Sequence, residues 1–247
     1  MKLNMKSVAL VVAAMMAPMA VAAQVPGSVM SRVLYLRVGN QTGTAFAIEW
    51  RDKQYLVTAN HLVNSLPKTG ATVQLFQTGD WKNLIVDILN CDNPDTDIAV
   101  LKIPFRLINA DPVGYTPGDL FVGQEVYFLG FPDGLHSYYP SGEYAAFVKR
   151  GTASAVDSTN AESIILYVDG FNNPGFSGGP VAFLDKKNNQ WKIAAVVSGY
   201  RSENAKIKIG RNYTNTNVLV NSGILIAYSI QHALDAIDKA SRIVKAP

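Results

Sequence analysis

Cysteine occurs once in the 247 residues, at Cys91, so no intramolecular disulfide can form. A chain of this length without cross-links has to be held by an apolar core, and 48% hydrophobic residues supply the material for one. Cys91 sits between Asn90 and Asp92, with no cation beside it to stabilise a thiolate, so it reads as a half-buried structural cysteine. Histidine is almost as scarce: His61, His136 and His232 lie far apart and show no paired ligand spacing. That argues against a metal centre, and no cofactor is expected. Charge is low and nearly balanced, at 17% with a formal net charge of +3, which gives no electrostatic footprint for nucleic acid. No internal repeat or low-complexity tract is present.

Long apolar runs are also missing, apart from one short one at the N-terminus. Lys2 and Lys6 precede the apolar stretch Val8–Met16, and Val21-Ala22-Ala23 places small residues before Gln24. This is the pattern of a secretory signal peptide over residues 1–23, cleaved after Ala23. The run is shorter than the roughly 20 residues a bilayer needs, and Pro18 interrupts it. The expectation is export to a bacterial periplasm or the extracellular space, with no membrane association once the leader is gone. Loss of Lys2 and Lys6 lowers the formal charge from +3 to +1.

Short β-branched runs then recur between turn signals: Val33–Val38, Gly43–Trp50, Gln54–Thr58, Thr72–Phe76, Leu84–Leu89 and Ile98–Ile103. Residues 105–119 carry Pro112, Gly114, Pro117 and Gly118 and read as a connector. Further runs follow at Glu125–Leu129, Ala145–Lys149, Ser163–Val168, Trp191–Val197 and Gly223–Tyr228, with Ser202–Asn217 a polar loop or ragged hairpin. Strand runs at this spacing predict an all-β sandwich or barrel. Only the tail, residues 229–244, has helical periodicity: Ile230, Leu234, Ile237 and Val244 on one face, with Asp235, Asp238 and Lys239 largely on the other.

The chemistry centres on Asn173-Pro174-Gly175-Phe176-Ser177-Gly178-Gly179-Pro180. A serine among glycines sits on a turn other residues cannot follow, and uncovered amides there can point at a bound oxygen. Upstream, Thr58-Ala59-Asn60-His61 closes a strand on a histidine, and Asp97 opens the Asp97-Ile98-Ala99-Val100-Leu101-Lys102 run. A serine hydroxyl becomes a nucleophile when an imidazole takes its proton, and a carboxylate fixes that imidazole's tautomer. The spacing Gly175-x-Ser177-x-Gly179 also fits the nucleophile elbow of α/β-hydrolases. That fold needs a histidine after the serine, where only His232 is found, and an alternating βα pattern, which is absent.

In their order and wording the three motifs resemble the trypsin-like (chymotrypsin-fold) serine proteases, and most nearly the protease domain of the bacterial Deg-type branch. The resemblance implies two antiparallel β-barrels, about 30–108 and 118–228, ahead of the C-terminal α-helix, the whole domain spanning 24–247. It implies a catalytic triad of His61, Asp97 and Ser177, an oxyanion hole from the amides of Gly175 and Ser177, and peptide or protein substrates. Phe171, Ser198, Gly199, Tyr200 and Ile226 are the implied substrate-binding residues, favouring an apolar or small side chain before the scissile bond. The alternative is a catalytically inactive peptide-binding module on the same fold. Two departures from the pattern stand out. No PDZ domain is expected after the helix, and Phe176 stands in place of the aspartate that pairs with a new N-terminus when animal trypsins are activated.

Overall fold

The computed structural model describes residues 25–138 and 144–243. The expected leader with its cleavage point, and Val244, lie outside the described residues. A one-turn helix α1 (Gly27–Met30) leads into six strands: β1 (Val33–Val38), β2 (Gln41–Trp50), β3 (Lys53–Thr58), β4 (Ala71–Gln77), β5 (Asp80–Asn90) and β6 (Ala99–Lys102). These close into an antiparallel barrel in the order β1-β2-β3-β6-β5-β4.

The apolar runs of the first three strands show no clean alternation because both faces are covered. Ala45, Ala47, Leu56 and Leu101 point into the barrel, while Phe46, Ile48, Tyr55 and Val100 point out into a second apolar layer. That layer also receives Leu129, Phe131, Ile193, Val196, Leu234 and Ile237, so it is the seam between the two halves of the molecule and the C-terminal helix. By contrast β5 alternates as a half-solvated strand should, with Leu84, Val86 and Ile88 buried and Ile85 exposed.

The second half contains β7 (Gly114–Tyr115), β8 (Glu125–Gly130), β9 (Ser137–Tyr138), β10 (Tyr144–Ala145), β11 (Phe147–Asp157), β12 (Ile165–Asp169), β13 (Pro180–Asp185), β14 (Gln190–Ile209) and β15 (Asn212–Ser229). The main sheet runs β13-β8-β11-β12-β15-β14-β7, and an additional β13–β14 pairing joins six of these strands into a ring around Phe128, Phe176 and Phe183. The expected connector contains one short strand, β7, which pairs in parallel with β14. Among the features not anticipated are the length of β11, the whole of β13, and the extent of the β14–β15 hairpin. The polar stretch Ser202–Asn217 is a paired ribbon with register shifts at Arg201 and Ile207.

Arg32 fixes the connector to the first barrel. It is fully buried, pairs with Glu49, and donates to the carbonyls of Ser28 (2.9 Å) and Asp111 (2.6 Å) and to the Tyr115 hydroxyl (3.2 Å). A buried guanidinium is tolerated only when its donors find acceptors, and here they span three segments.

The helix α3 spans Gln231–Ile243, starting two residues later than the periodicity suggests, and buries Ala233, Leu234 and Ile237. Asp238 ties it to the first barrel, accepting from Trp50 Nε1 at 2.8 Å and pairing with Arg51. His232, buried on its inner side, accepts the Ile164 N–H at 2.9 Å through Nε2 and so must be neutral. Burial holds its pKa below the ordinary 6.5. The unfolded chain therefore takes up this proton first, and the associated stability is present above pH 6.5 and lost as pH falls. Urea midpoints should drop between about pH 7 and pH 5, and His232→Gln, which keeps an acceptor, should flatten that slope. Equal slopes in both proteins would remove His232 from the acid response.

Candidate active site

His61 owes its position to its neighbours. Ala59, Leu62 and Val63 are buried against the first barrel, which leaves the intervening His61 half-exposed on the one-turn helix α2 (Asn60–Val63). Asp97 stands two residues before β6, at the end of a turn in which buried Thr96 donates to the Glu162 carbonyl at 2.8 Å. Asp95, in the same turn, is exposed and donates its backbone N–H to Asn93 Oδ1 at 2.8 Å.

The two side chains meet. His61 donates its backbone N–H to Asp97 Oδ1 at 2.8 Å, and its Nδ1 lies 2.7 Å from Oδ2. The Ser198 hydroxyl donates to the same Oδ2 at 2.6 Å. Burial pushes the Asp97 carboxyl up, but the bonds from His61 and Ser198 outweigh it and hold the group below its ordinary 3.8. An ionised carboxylate can only accept, so Nδ1 carries a proton, and in the neutral ring Nε2 is the nitrogen left to accept one.

Ser177 lies on the loop between β12 and β13. Gly175 has φ +100° and Gly178 φ +85°, and a Cβ at either would stand 2.2 Å from the Phe131 carbonyl oxygen or 2.1 Å from that of Thr44. No other residue type fits those two places. The N–H groups of Gly175 and Ser177 have no acceptor among the described residues, whereas those of Phe176, Gly178 and Gly179 are all bonded. The Ser177 hydroxyl donates to the Ser198 carbonyl at 2.8 Å and makes no hydrogen bond to His61. Phe176 is fully buried, edge-on to Phe128 with centroids 5.3 Å apart.

Thr44 on β2 holds this loop from across the seam. Its N–H donates to the Ser177 carbonyl at 2.8 Å, and its hydroxyl donates to the Gly175 carbonyl at 2.7 Å. Thr58, at the end of the strand that leads to His61, in turn donates to the Thr44 carbonyl at 2.7 Å. Sequence reasoning did not single out Thr44, because nothing local indicates a contact 131 residues along the chain.

Of the residues expected to bind substrate, Ser198, Gly199 and Tyr200 lie on β14, with Gly199 paired to Ile226 of β15. Phe171 is exposed, on a loop tied to the base of that hairpin by Asn221 Nδ2 to the Asn172 carbonyl, 2.6 Å. Lys149 braces the loop by donating to the Phe171 carbonyl at 2.8 Å and to Asn173. His136 packs instead among the rings of Phe76, Tyr138 and Tyr144, in tilted and edge-on contacts. Burial pushes the Cys91 thiol up to about 12, which leaves it protonated. Among the described residues no His, Cys, Asp and Glu cluster suits a metal ion. A cavity of about 740 Å³ between Glu49–Tyr55 and Lys102–Arg106 includes none of His61, Asp97 or Ser177.

Residues 43–189, more than half of the chain, match the trypsin-like peptidase domain family. The chain is 31% identical over 148 residues to the chloroplastic Protease Do-like 1 of Arabidopsis thaliana, covering 59% of this chain and 31% of that protein. It is 28% identical over 138 residues to the serine protease Do-like HtrB of Bacillus subtilis, covering 53% and 27%. It thus spans less than a third of the length of either relative. Among solved structures, an inactive form of Rv3671c from M. tuberculosis aligns over 89% of this chain and 90% of its own, with a TM-score of 0.55 and 17% identity. The HtrA-type protease AlgW with a tripeptide aligns over 85% and 60%, with a TM-score of 0.56 and 21% identity. The extent of the family match, on a barrel pair that gathers its three motifs, makes this chain a member of the trypsin-like peptidase family.

Proposed function

We propose that the protein is an exported serine endopeptidase, with Ser177 as nucleophile, His61 as general base and acid, and Asp97 as the group that orients and stabilises the imidazolium. The observation that carries this reading is the Asp97 carboxylate binding both the backbone and ring N–H of His61, which leaves Nε2 free to accept a proton. The reaction starts when the Ser177 hydroxyl leaves the Ser198 carbonyl and turns to that nitrogen. Oγ attacks the scissile carbonyl carbon as its proton passes to Nε2, and the oxyanion forms against the unbonded amides of Gly175 and Ser177. Collapse breaks the C–N bond, His61 returns the proton to the leaving amine, and water cleaves the acyl-enzyme by the same steps.

The substrate backbone adds as a strand beside Ser198-Gly199-Tyr200, with an apolar or small side chain preceding the scissile bond. The buried Phe176 cannot form an ion pair with a new N-terminus, so no activating nick is needed. Export rests on the leader pattern of residues 1–23.

A non-catalytic peptide-binding module is the second reading, favoured by the Ser177 hydroxyl resting on Ser198 rather than on His61. Labelling with a fluorophosphonate separates the two. The expected result is stoichiometric modification of the mature protein and none of Ser177→Ala; an unlabelled, folded wild type supports the binding module.

Asp97→Asn should lower kcat/KM on a peptide substrate by roughly 10³–10⁴ with the fold intact, because the ring loses its preferred tautomer. Asp95→Asn should change it by no more than about threefold, as for a solvated turn carboxylate. The reverse ranking would move the orienting role to Asp95.

Thr44→Val removes the donor to the Gly175 carbonyl while keeping the side-chain shape. Kcat should fall about tenfold with KM little changed, and Thr44→Ser should restore it. An equal loss in the serine variant would point to a packing role for the threonine methyl.

A further inference from the structure

The β14–β15 ribbon extends well past the sheet that anchors it. β13 covers one edge of β14 only as far as the Pro180–Val196 pair, and β12 covers β15 only over Ile224–Tyr228. Beyond those points the two strands pair with each other alone, out to Ile209 and Asn212. The edge that β13 vacates begins at Ser198, whose carbonyl touches the Ser177 hydroxyl, so the ribbon is a direct continuation of the cleft wall. It carries apolar side chains in water: Ile209 is 71% exposed, and Tyr213 and Leu219 are each 68% exposed. Its charge is one-sided. Arg201, Lys206, Lys208 and Arg211 face a single acid, Glu203, and β15 contains no charged residue. Among the described residues none of the four cations has a carboxylate partner.

We propose that this ribbon binds the substrate chain upstream of the scissile bond and selects unfolded polypeptides with acidic residues there; the inference rests on the peptidase reading above. A substrate strand taking the vacated edge antiparallel to β14, as β13 does, runs toward the ribbon tip on its N-terminal side. Counting from Ser198, Lys206 and Lys208 come opposite residues about six to ten positions before the cleaved bond. The bulge at Arg201 turns the ribbon and gives the Arg201 carbonyl to Ser222 Oγ at 2.7 Å, so beyond it the contact is carried by side-chain charge and apolar cover. Charged lysines also guard exposed strand edges against aggregation, which is the alternative role for these cations.

The test compares one fluorogenic core peptide carrying an N-terminal extension of about ten residues, rich in either Glu or Gln. At low salt the Glu version should have a kcat/KM about tenfold higher, mainly through KM, and high salt should erase the difference. The triple variant K206S/K208S/R211S should lose the gain while cleaving the bare core peptide at the wild-type rate. Equal rates for the two extensions overturn the proposal and leave the cations as edge guards. Equal rates combined with loss of sedimentation on anionic phospholipid vesicles in the triple variant overturn it in favour of a membrane-facing finger. Binding of both extended peptides to Ser177→Ala, by fluorescence anisotropy, is read in parallel. Preferential binding of the Glu peptide without hydrolysis by wild type defeats the peptidase reading alone, whereas hydrolysis without preference defeats the ribbon alone.

Discussion

The barrel seam is the constraint on which the site depends. His61 and Asp97 hang from the first barrel, Ser177 and Ser198 from the second, and two hydrogen bonds from Thr44 set one group against the other. Thr58, at the end of β3 three residues before His61, bonds to the carbonyl of that same threonine, so a shift of one barrel is felt at both ends of the site. A displacement of about 1 Å is enough to cost a catalytic arrangement two orders of magnitude. The seam is therefore packed as a core, with Phe46, Val57, Leu129, Phe131 and Val196 fully covered.

That packing explains why peripheral elements are fixed so firmly. The helix α3 places Leu234 and Ile237 in the seam cluster and is pinned through Asp238 to Trp50 and Arg51. The hydrogen bond from Arg51, helped by that from Trp50 and opposed by slight burial, draws the Asp238 carboxyl down to about 2. Arg32 does the corresponding work for the connector, because its acceptors belong to the N-terminal segment, to β2 and to the chain between the barrels. Each device joins segments that the strand ladders leave unjoined.

The parts of the molecule legible in the sequence are those where one local pattern has one physical cause. The three motifs named His61, Asp97 and Ser177, and the structure places the first two in contact and the third against Ser198. The first-barrel strands read clearly from their β-branched runs, and the tail helix from its period. What was missed has causes spread along the chain. β13 follows the serine motif with only the apolar stretch Val181–Leu184 to mark it, and that stretch is short enough to pass for the end of a turn. The ribbon is largely polar, and its pairing owes more to its partner strand than to burial, so the sequence left a loop and a ragged hairpin both open and gave no sign of the hairpin's length. A fully buried Arg32 is invisible locally, because its partners lie up to 83 residues away.

Ser198 shows how closely the site couples binding to chemistry. Its hydroxyl is the third donor on the Asp97 carboxylate, after the backbone and ring N–H of His61, and its carbonyl holds the Ser177 hydroxyl. That carbonyl also lies on the edge a substrate strand would use, at the bulge between the Val197 and Gly199 pairings, where β15 does not claim it. Under the proposed chemistry, a substrate amide N–H and the Ser177 hydroxyl compete for one acceptor. An amide that takes the Ser198 carbonyl releases the serine toward His61 Nε2, the remaining base within the site's own hydrogen-bond chain. The nucleophile is then freed by the backbone contact that aligns the bond to be cut. Reagents too small to make that contact must displace the hydroxyl without help, so extended peptides gain in kcat as well as in KM.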